Sequence, residues 1–241
     1  MGHICIICAI QLEIRPILKR FPSIGISCSA DFPAWRFQAF GKNITLIQSG
    51  IGVNKAAKAA SAAAALDPEI IISAGFCGAL SPSTSLGEVF LAEKLYHCSS
   101  GSITRETTPD PGLAALIGTG LRRGTFITTD EIIEKSRVCS LLPDPAAINL
   151  LEMESSAVAD VCRSQGIRFS AIRSVSDTAD HDPCSLFRRI CDSDFNISMV
   201  KVALSLIKKP ATLSEFLQLS RSSAIAGKSL SEAVAYALER I

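Results

Sequence analysis

The stretch EMESSAVADVCRSQGIRFSAIRSVS, residues 152–176, decides the fold. Residues 152–166 read as a helix that stops at Gly166, the residue type that most easily takes the left-handed turn closing a helix. Residues 167–176 follow at once as a strand. The same alternation runs outward in both directions. HICIICAI (3–10) reads as a strand buried on both faces, and QLEIRPILKRF (11–21) as a short helix with Pro16 near its first turn. WRFQAF (35–40) and NITLIQS (43–49) alternate with period two and read as a hairpin pair. VNKAAKAASAAAAL (53–66) is a helix of strong propensity; EIIISAG (69–75), GEVFLAE (87–93) and GTFITT (124–129) are strands. Residues 98–123 are weakly patterned and read as a long loop. FNISMVKVALSLI (195–207) reads as a helix ended by Pro210, and two further helical patterns follow at 212–222 and 229–240. Strands alternating with helices predict a three-layer α/β/α domain with a central mixed, largely parallel twisted sheet. It covers residues 1–209, and 210–241 form a C-terminal helical extension of the same domain.

The charge balance narrows the function. Lys and Arg number 24 and Asp and Glu 23 among 241 residues, a net charge of +1. Neither a nucleic-acid footprint nor a polybasic membrane surface is predicted. No apolar run approaches the ~18 residues of a membrane span, and the N-terminal run lacks a basic flank, so a soluble, cytoplasmic protein is expected. Nine cysteines are scattered along the chain. Cys5 and Cys8 form a CxxC, but on a strand positions i and i+3 face opposite sides and cannot share one zinc. With His3, His97 and His181 as the histidines, no metal site is expected, and buried reduced thiols fit a reducing compartment.

In open α/β sheets ligands collect beyond the carboxyl ends of strands. That rule selects Glu13, SGIG (49–52), AGFCGA (74–79) and SVSDTAD (174–180). Each has a plain alternative. Glu13 also suits a solvated acid at a helix N-terminus. SGIG lacks the third glycine of a dinucleotide fingerprint and reads equally as a tight turn or as close backbone approach to a ligand. AGFCGA is explained as well by strand-to-loop packing. Glu152 and Glu154, if both helical, lie about 200° apart on the wheel, so one of them faces inward. Such a Glu can bind a diol by two charge-assisted hydrogen bonds. Ser176 and Asp177 either cap the next helix or supply a buried carboxylic acid able to donate a proton.

Glu13, SGIG, AGFCGA, LEMES and SVSDTAD occur in one order, and together they resemble the nucleoside phosphorylase/nucleosidase superfamily. The chain is most similar to its methylthioadenosine/S-adenosylhomocysteine nucleosidases, over roughly residues 4–207. The resemblance implies hydrolysis of the N-ribosidic bond of a 5′-substituted purine nucleoside with release of adenine, by a homodimer without cofactor. It implies that Glu13 activates water and that Asp177, positioned by Ser176, protonates N7 of the departing purine. Glu154 then binds ribose hydroxyls, Met153 packs on the sugar, and Ile133 contacts adenine through its backbone. The logic parallels inverting glycoside hydrolysis, in which two carboxylates serve a polarised transition state.

The chain departs from the pattern in two places. The loop after the central strand reads Gly75-Phe76-Cys77-Gly78-Ala79, which sets Phe76 and Gly78 against the substrate. Ser73 and Phe76 occupy positions where phosphorylases of the superfamily hold phosphate with an arginine and a hydroxyl, and neither replaces an arginine clamp. The alternatives are a phosphorylase and a non-catalytic nucleoside-binding protein. The tail after Pro210 resembles that of the hopanoid-associated nucleosidase branch. It serves either as packing or as a lining for an apolar 5′ group.

Overall fold

The computed structural model describes residues 2–23, 25–29, 32–192, 195 and 212–241. The helical pattern at 195–207 lies, beyond its first residue, outside them.

The first strand β1 (His3–Cys8) pairs in parallel with β4 (Lys42–Gln48) on one side and β5 (Ile70–Ala79) on the other. Its run of β-branched and small residues suits a position buried on both faces. Cys5 and Ile7 pack into one core cluster and Ile4, Ile6 and Cys8 into the other, so the two thiols of the CxxC do face opposite ways. β3 (Phe32–Ala39) and β4 form the predicted antiparallel pair, and β2 (Gly25–Ser29) extends it.

β5 also pairs in parallel with β10 (Arg168–Asp177) and antiparallel with β9 (Asn149–Glu152). β10 continues antiparallel to β6 (Val89–Ser99), β6 parallel to β8 (Arg122–Thr129), and β8 parallel to β9. These five strands therefore close on one another, while β7 (Ser102–Thr107) pairs β6 outside the ring. The region 98–123 is not a long loop. It holds the end of β6, β7, and the helix α3 (Pro111–Ile117), which Asp110 caps by accepting from Leu113 N at 3.0 Å. Short elements with polar alternation carry little apolar period, which is why the pattern was weak there.

α2 (Val53–Ala64) and α5 (Ser155–Gln165) cover one face of the sheet. The alanines Ala56, Ala59, Ala60 and Ala63 are fully buried there, and their small side chains let the two helices approach closely. α1 (Gln11–Arg20), α3 and the C-terminal helix α7 (Thr212–Arg240) cover the other face. α4 (Lys135–Cys139) and α6 (Cys184–Ile190) are short.

Two local expectations change. Pro16 sits inside α1 rather than in its first turn. A proline there cannot bond the Leu12 carbonyl. Gly227 of α7 lies against this spot, and a Cβ on it would stand 3.0 Å from Pro16 and 3.1 Å from the Leu12 oxygen. The two tail patterns are one continuous helix, α7. Its second half buries Leu230, Ala233, Val234, Ala237 and Leu238 against Ile14, Ile17, Ile72 and Ile172. In its first half, Phe216 and Leu219 pack on Leu186, Ile190 and Cys191, and Leu213, Leu217 and Ile225 are exposed.

Candidate active site

The ends of β1, β4, β5, β9 and β10 bring the sequence-selected residues together. Glu13 is the third residue of α1 and is buried, not solvated, at 4% exposure. Its Oε2 accepts from Ala9 N at 2.8 Å and from Ile10 N at 3.0 Å, and its Oε1 accepts from Phe76 N at 2.8 Å. It thus half-caps its own helix and ties that helix to β5. Burial raises its pKa, and Arg173 together with the three main-chain N–H groups opposes the rise. Gly75 makes the approach possible: a Cβ there would lie 2.7 Å from Glu13 Oε1 and 3.2 Å from Arg173 Nη1.

The Glu-Met-Glu segment is not helical from its first residue. Glu152 ends β9, Glu154 is the N-cap of α5, and the angular argument from the helical wheel does not apply. Both acids turn inward, for different reasons. Glu152 accepts from Glu154 N at 3.0 Å and Ser155 N at 2.8 Å, and from the Thr128 hydroxyl. It also receives Arg173 Nη2 at 2.6 Å. Burial pushes its pKa up, but Arg173 and these donors outweigh burial, and the net shift is downward. Glu152 is spent on structure. Among the described residues Glu154 accepts one main-chain bond, from Gly52 N at 3.0 Å, and it lies 3.5 Å from Arg173 Nη2. Burial and then the neighbouring Glu152 raise its pKa to about 7, against Arg173. Gly52 holds φ 103°, a left-handed conformation that glycine takes without strain, and this turns its N–H toward Glu154. The SGIG turn is therefore a tight turn whose backbone donates into the site. Met153 is half-buried between the two acids.

Arg173 is one of two buried cations that sequence reasoning missed, Lys135 being the other. It is 1% exposed in the middle of β10 and also donates to Ser73 Oγ at 3.1 Å. Burial disfavours its charge, but Glu152, Glu154 and Glu13 overcome that and raise its pKa. The signal was present: a cation inside IRFSAIRSVS is as costly as the acids unless it is paired.

Asp177 ends β10 rather than capping a helix. Its Oδ1 accepts from Ser176 Oγ at 2.8 Å, and its Oδ2 lies 2.6 Å from Lys135 Nζ. Burial raises its pKa, with Lys135 and Ser176 opposing. Asp180 is exposed. Gly78 faces the pair: a Cβ there would meet Asp177 Oδ2 at 2.6 Å. Phe76 contributes its N–H to Glu13, while its ring packs toward α1 and α7, with Cζ 3.6 Å from where a Cβ of Gly227 would stand. Ile133 is buried with Leu80, Tyr96 and Cys98 and lines a cavity of about 230 Å³ with Thr129, Asp130 and Glu131. No cluster of metal-ligating side chains occurs among the described residues.

Arg173 and Lys135 are the buried cations of this cluster, and each is paired with a carboxylate. The arrangement offers a carboxylate held in place by main-chain N–H groups, a second carboxyl that titrates near neutrality, and a third acid at a strand end.

Comparison with known proteins bears on the family and the fold. The chain is 28% identical over 179 residues to a 5′-methylthioadenosine/S-adenosylhomocysteine nucleosidase of Marinomonas sp., covering 62% of this chain and 73% of that one. The crystal structure of Campylobacter jejuni 5′-methylthioadenosine/S-adenosylhomocysteine nucleosidase superposes with a TM-score of 0.74 at 18% identity, covering 100% of both chains. Futalosine hydrolase of Helicobacter pylori superposes with a TM-score of 0.76 at 15% identity, covering 100% of this chain and 98% of that one. At these identities the structural matches speak for the fold. The family model of the phosphorylase superfamily matches residues 3–203, and the chain belongs to that superfamily.

Proposed function

We propose that the chain is a purine nucleosidase that hydrolyses the N-ribosidic bond of a 5′-substituted adenosine and releases adenine. The observation that carries this reading is the meeting of Glu13, Glu154 and Asp177 at neighbouring strand ends, each in a different electrostatic setting. Relatives named as nucleosidases support it. In this reading Asp177 gives its proton to the purine as the C–N bond breaks, so that the leaving base departs neutral. Glu13, fixed by three N–H groups, orients the attacking water and favours positive charge on the sugar. Glu154 holds the ribose hydroxyls, with Met153 against the sugar. The backbone at Ile133 and the wall formed by Phe76 and Gly78 complete the site. Water rather than phosphate is the nucleophile, because Arg173 is held by Glu152 and is not available as an anion clamp.

The protein acts as a homodimer in a reducing cytoplasm. The free, mostly buried cysteines suit that compartment, and no described helix is long and apolar enough to cross a membrane. The test is adenine release from methylthioadenosine by purified protein, with and without phosphate. Release independent of phosphate is expected. Release that requires phosphate and yields the sugar 1-phosphate overturns the hydrolase reading.

A further inference from the structure

Lys135 was not among the residues that the sequence singled out, and the reaction as described above does not use it. It is buried at the start of α4, and its ammonium lies 2.6 Å from Asp177 Oδ2. The same Nζ lies 3.2 Å from Asp177 O, 2.7 Å from Thr178 O and 2.9 Å from His181 O. An ammonium has three protons, so three carbonyls and a carboxylate saturate it. The main chain is stitched at the same place: Lys135 N donates to Asp182 Oδ2 at 2.8 Å, and Asp182 Oδ1 accepts from Cys184 N at 2.9 Å. Gly78 permits this packing, since a Cβ on it would stand 2.6 Å from Asp177 Oδ2 and 3.0 Å from Lys135 Cε.

We propose that Lys135 is the positioning residue of the leaving-group acid: one ammonium fixes the Asp177 carboxyl against Gly78 and clamps the turn 177–182 to the segment that carries Ile133. The inference rests on the nucleosidase reading and deepens it. Only Glu134 separates Ile133 from Lys135, so the segment assigned to the base and the acid assigned to its N7 are held by a single anchor.

The ion pair also has a direct chemical consequence. As the proton moves, the Asp177 O–H bond breaks, an N7–H bond forms, and the electron pair stays on the carboxylate. That carboxylate is the species that an ammonium 2.6 Å away favours, so Lys135 stabilises the product side of the transfer. Burial alone would leave Asp177 a weak acid that keeps its proton, and Lys135 offsets this. The titratable groups acting on Asp177 are Lys135 from α4, His181 from the turn beyond β10, and the neighbouring Cys77 thiol of β5, while Asp182 lies one step out on the Lys135 N–H.

The test uses Lys135→Met and Lys135→Gln, the glutamine keeping a donor for the carbonyls, each checked for folding by circular dichroism. With methylthioadenosine, kcat should fall about 10-fold or more, up to the ~10²–10⁴ that a general acid supplies in full, with KM little changed. The basic limb of the kcat/KM profile should move up by about one pH unit or more, as expected on removing an opposite charge near an acid. In an Asp177→Asn background the same substitutions should cost no further turnover. An active wild type with folded variants that retain its kcat and its pH limb overturns this inference alone. So does an equal loss in the Asp177→Asn background, which marks a merely structural lysine. A wild type that releases no adenine overturns the nucleosidase reading and this inference with it.

Discussion

Glu154→Gln separates the electrostatic state of the site from its chemistry. Glu154 titrates at about 7 in the folded chain, against an ordinary value of 4.5, because it is buried beside Glu152. A carboxyl whose folded pKa is raised contributes stability that is present below the unfolded pKa and is lost as pH rises through the folded one. Between about pH 5.5 and pH 7 the native state holds roughly one proton more than the unfolded chain, at ~1.4 kcal/mol per pH unit, so the wild type loses about 2 kcal/mol from this group. Glutamine cannot titrate, and its Oε1 can still accept the Gly52 N–H. Asp177 is also raised but is common to both proteins and cancels in the comparison; Glu13 is raised too and cancels only in part, because its charge acts on Glu154. Urea unfolding of wild type and variant at about pH 5.5 and about pH 8.5 should show the variant gaining about 2 kcal/mol on the wild type across the interval. The absolute offset does not matter, since glutamine also alters the contact with Arg173. Parallel pH dependences for the two proteins would refute a proton held at Glu154.

Three further outcomes follow from the packing. Asp177→Asn should fold and lose about 10²–10⁴ in kcat, since an amide has no acidic proton to give; near wild-type turnover refutes the assignment. Glu13→Gln should bind nucleoside by calorimetry without cleaving it. It should also lose roughly 1–3 kcal/mol of stability, because both Glu13 oxygens accept main-chain N–H groups and an amide nitrogen must face at least one of them. Unchanged stability contradicts the bonding described here. Leu230→Ala opens a cavity between α7 and α1 at a fully buried position. It should cost about 2–5 kcal/mol and lower Tm by about 4–20 °C, at ~2–4 °C per kcal/mol for a chain of this size. A smaller loss would mean that α7 is an appendage rather than core.

The sequence by itself determined the alternation of strands and helices, because period two and period 3.6 are local and survive without knowledge of neighbours. It also marked Glu152, Glu154 and Asp177, since acids in or beside apolar runs are tolerated only with a partner or a purpose, while Glu13 was selected by its place after the first strand. It did not show which acid serves which purpose. That was decided by pairing across the sheet. Glu152 and Glu154 look alike in the sequence, yet Glu152 takes the nearer Arg173 contact and two N–H groups, while Glu154 is left to titrate near neutrality. Arg173 and Lys135 lie 21 and 42 residues from the carboxylates they hold, too far for any local pattern to link them. The closure of β5, β9, β8, β6 and β10 is likewise invisible to periodicity, because a strand reads the same in an open sheet and in a ring. The tail shows the same division. The spacing of Leu230, Val234, Ala237 and Leu238 marked a face that must be buried, and only the tertiary structure gave it Ile14, Ile17 and Ile172 as its partners.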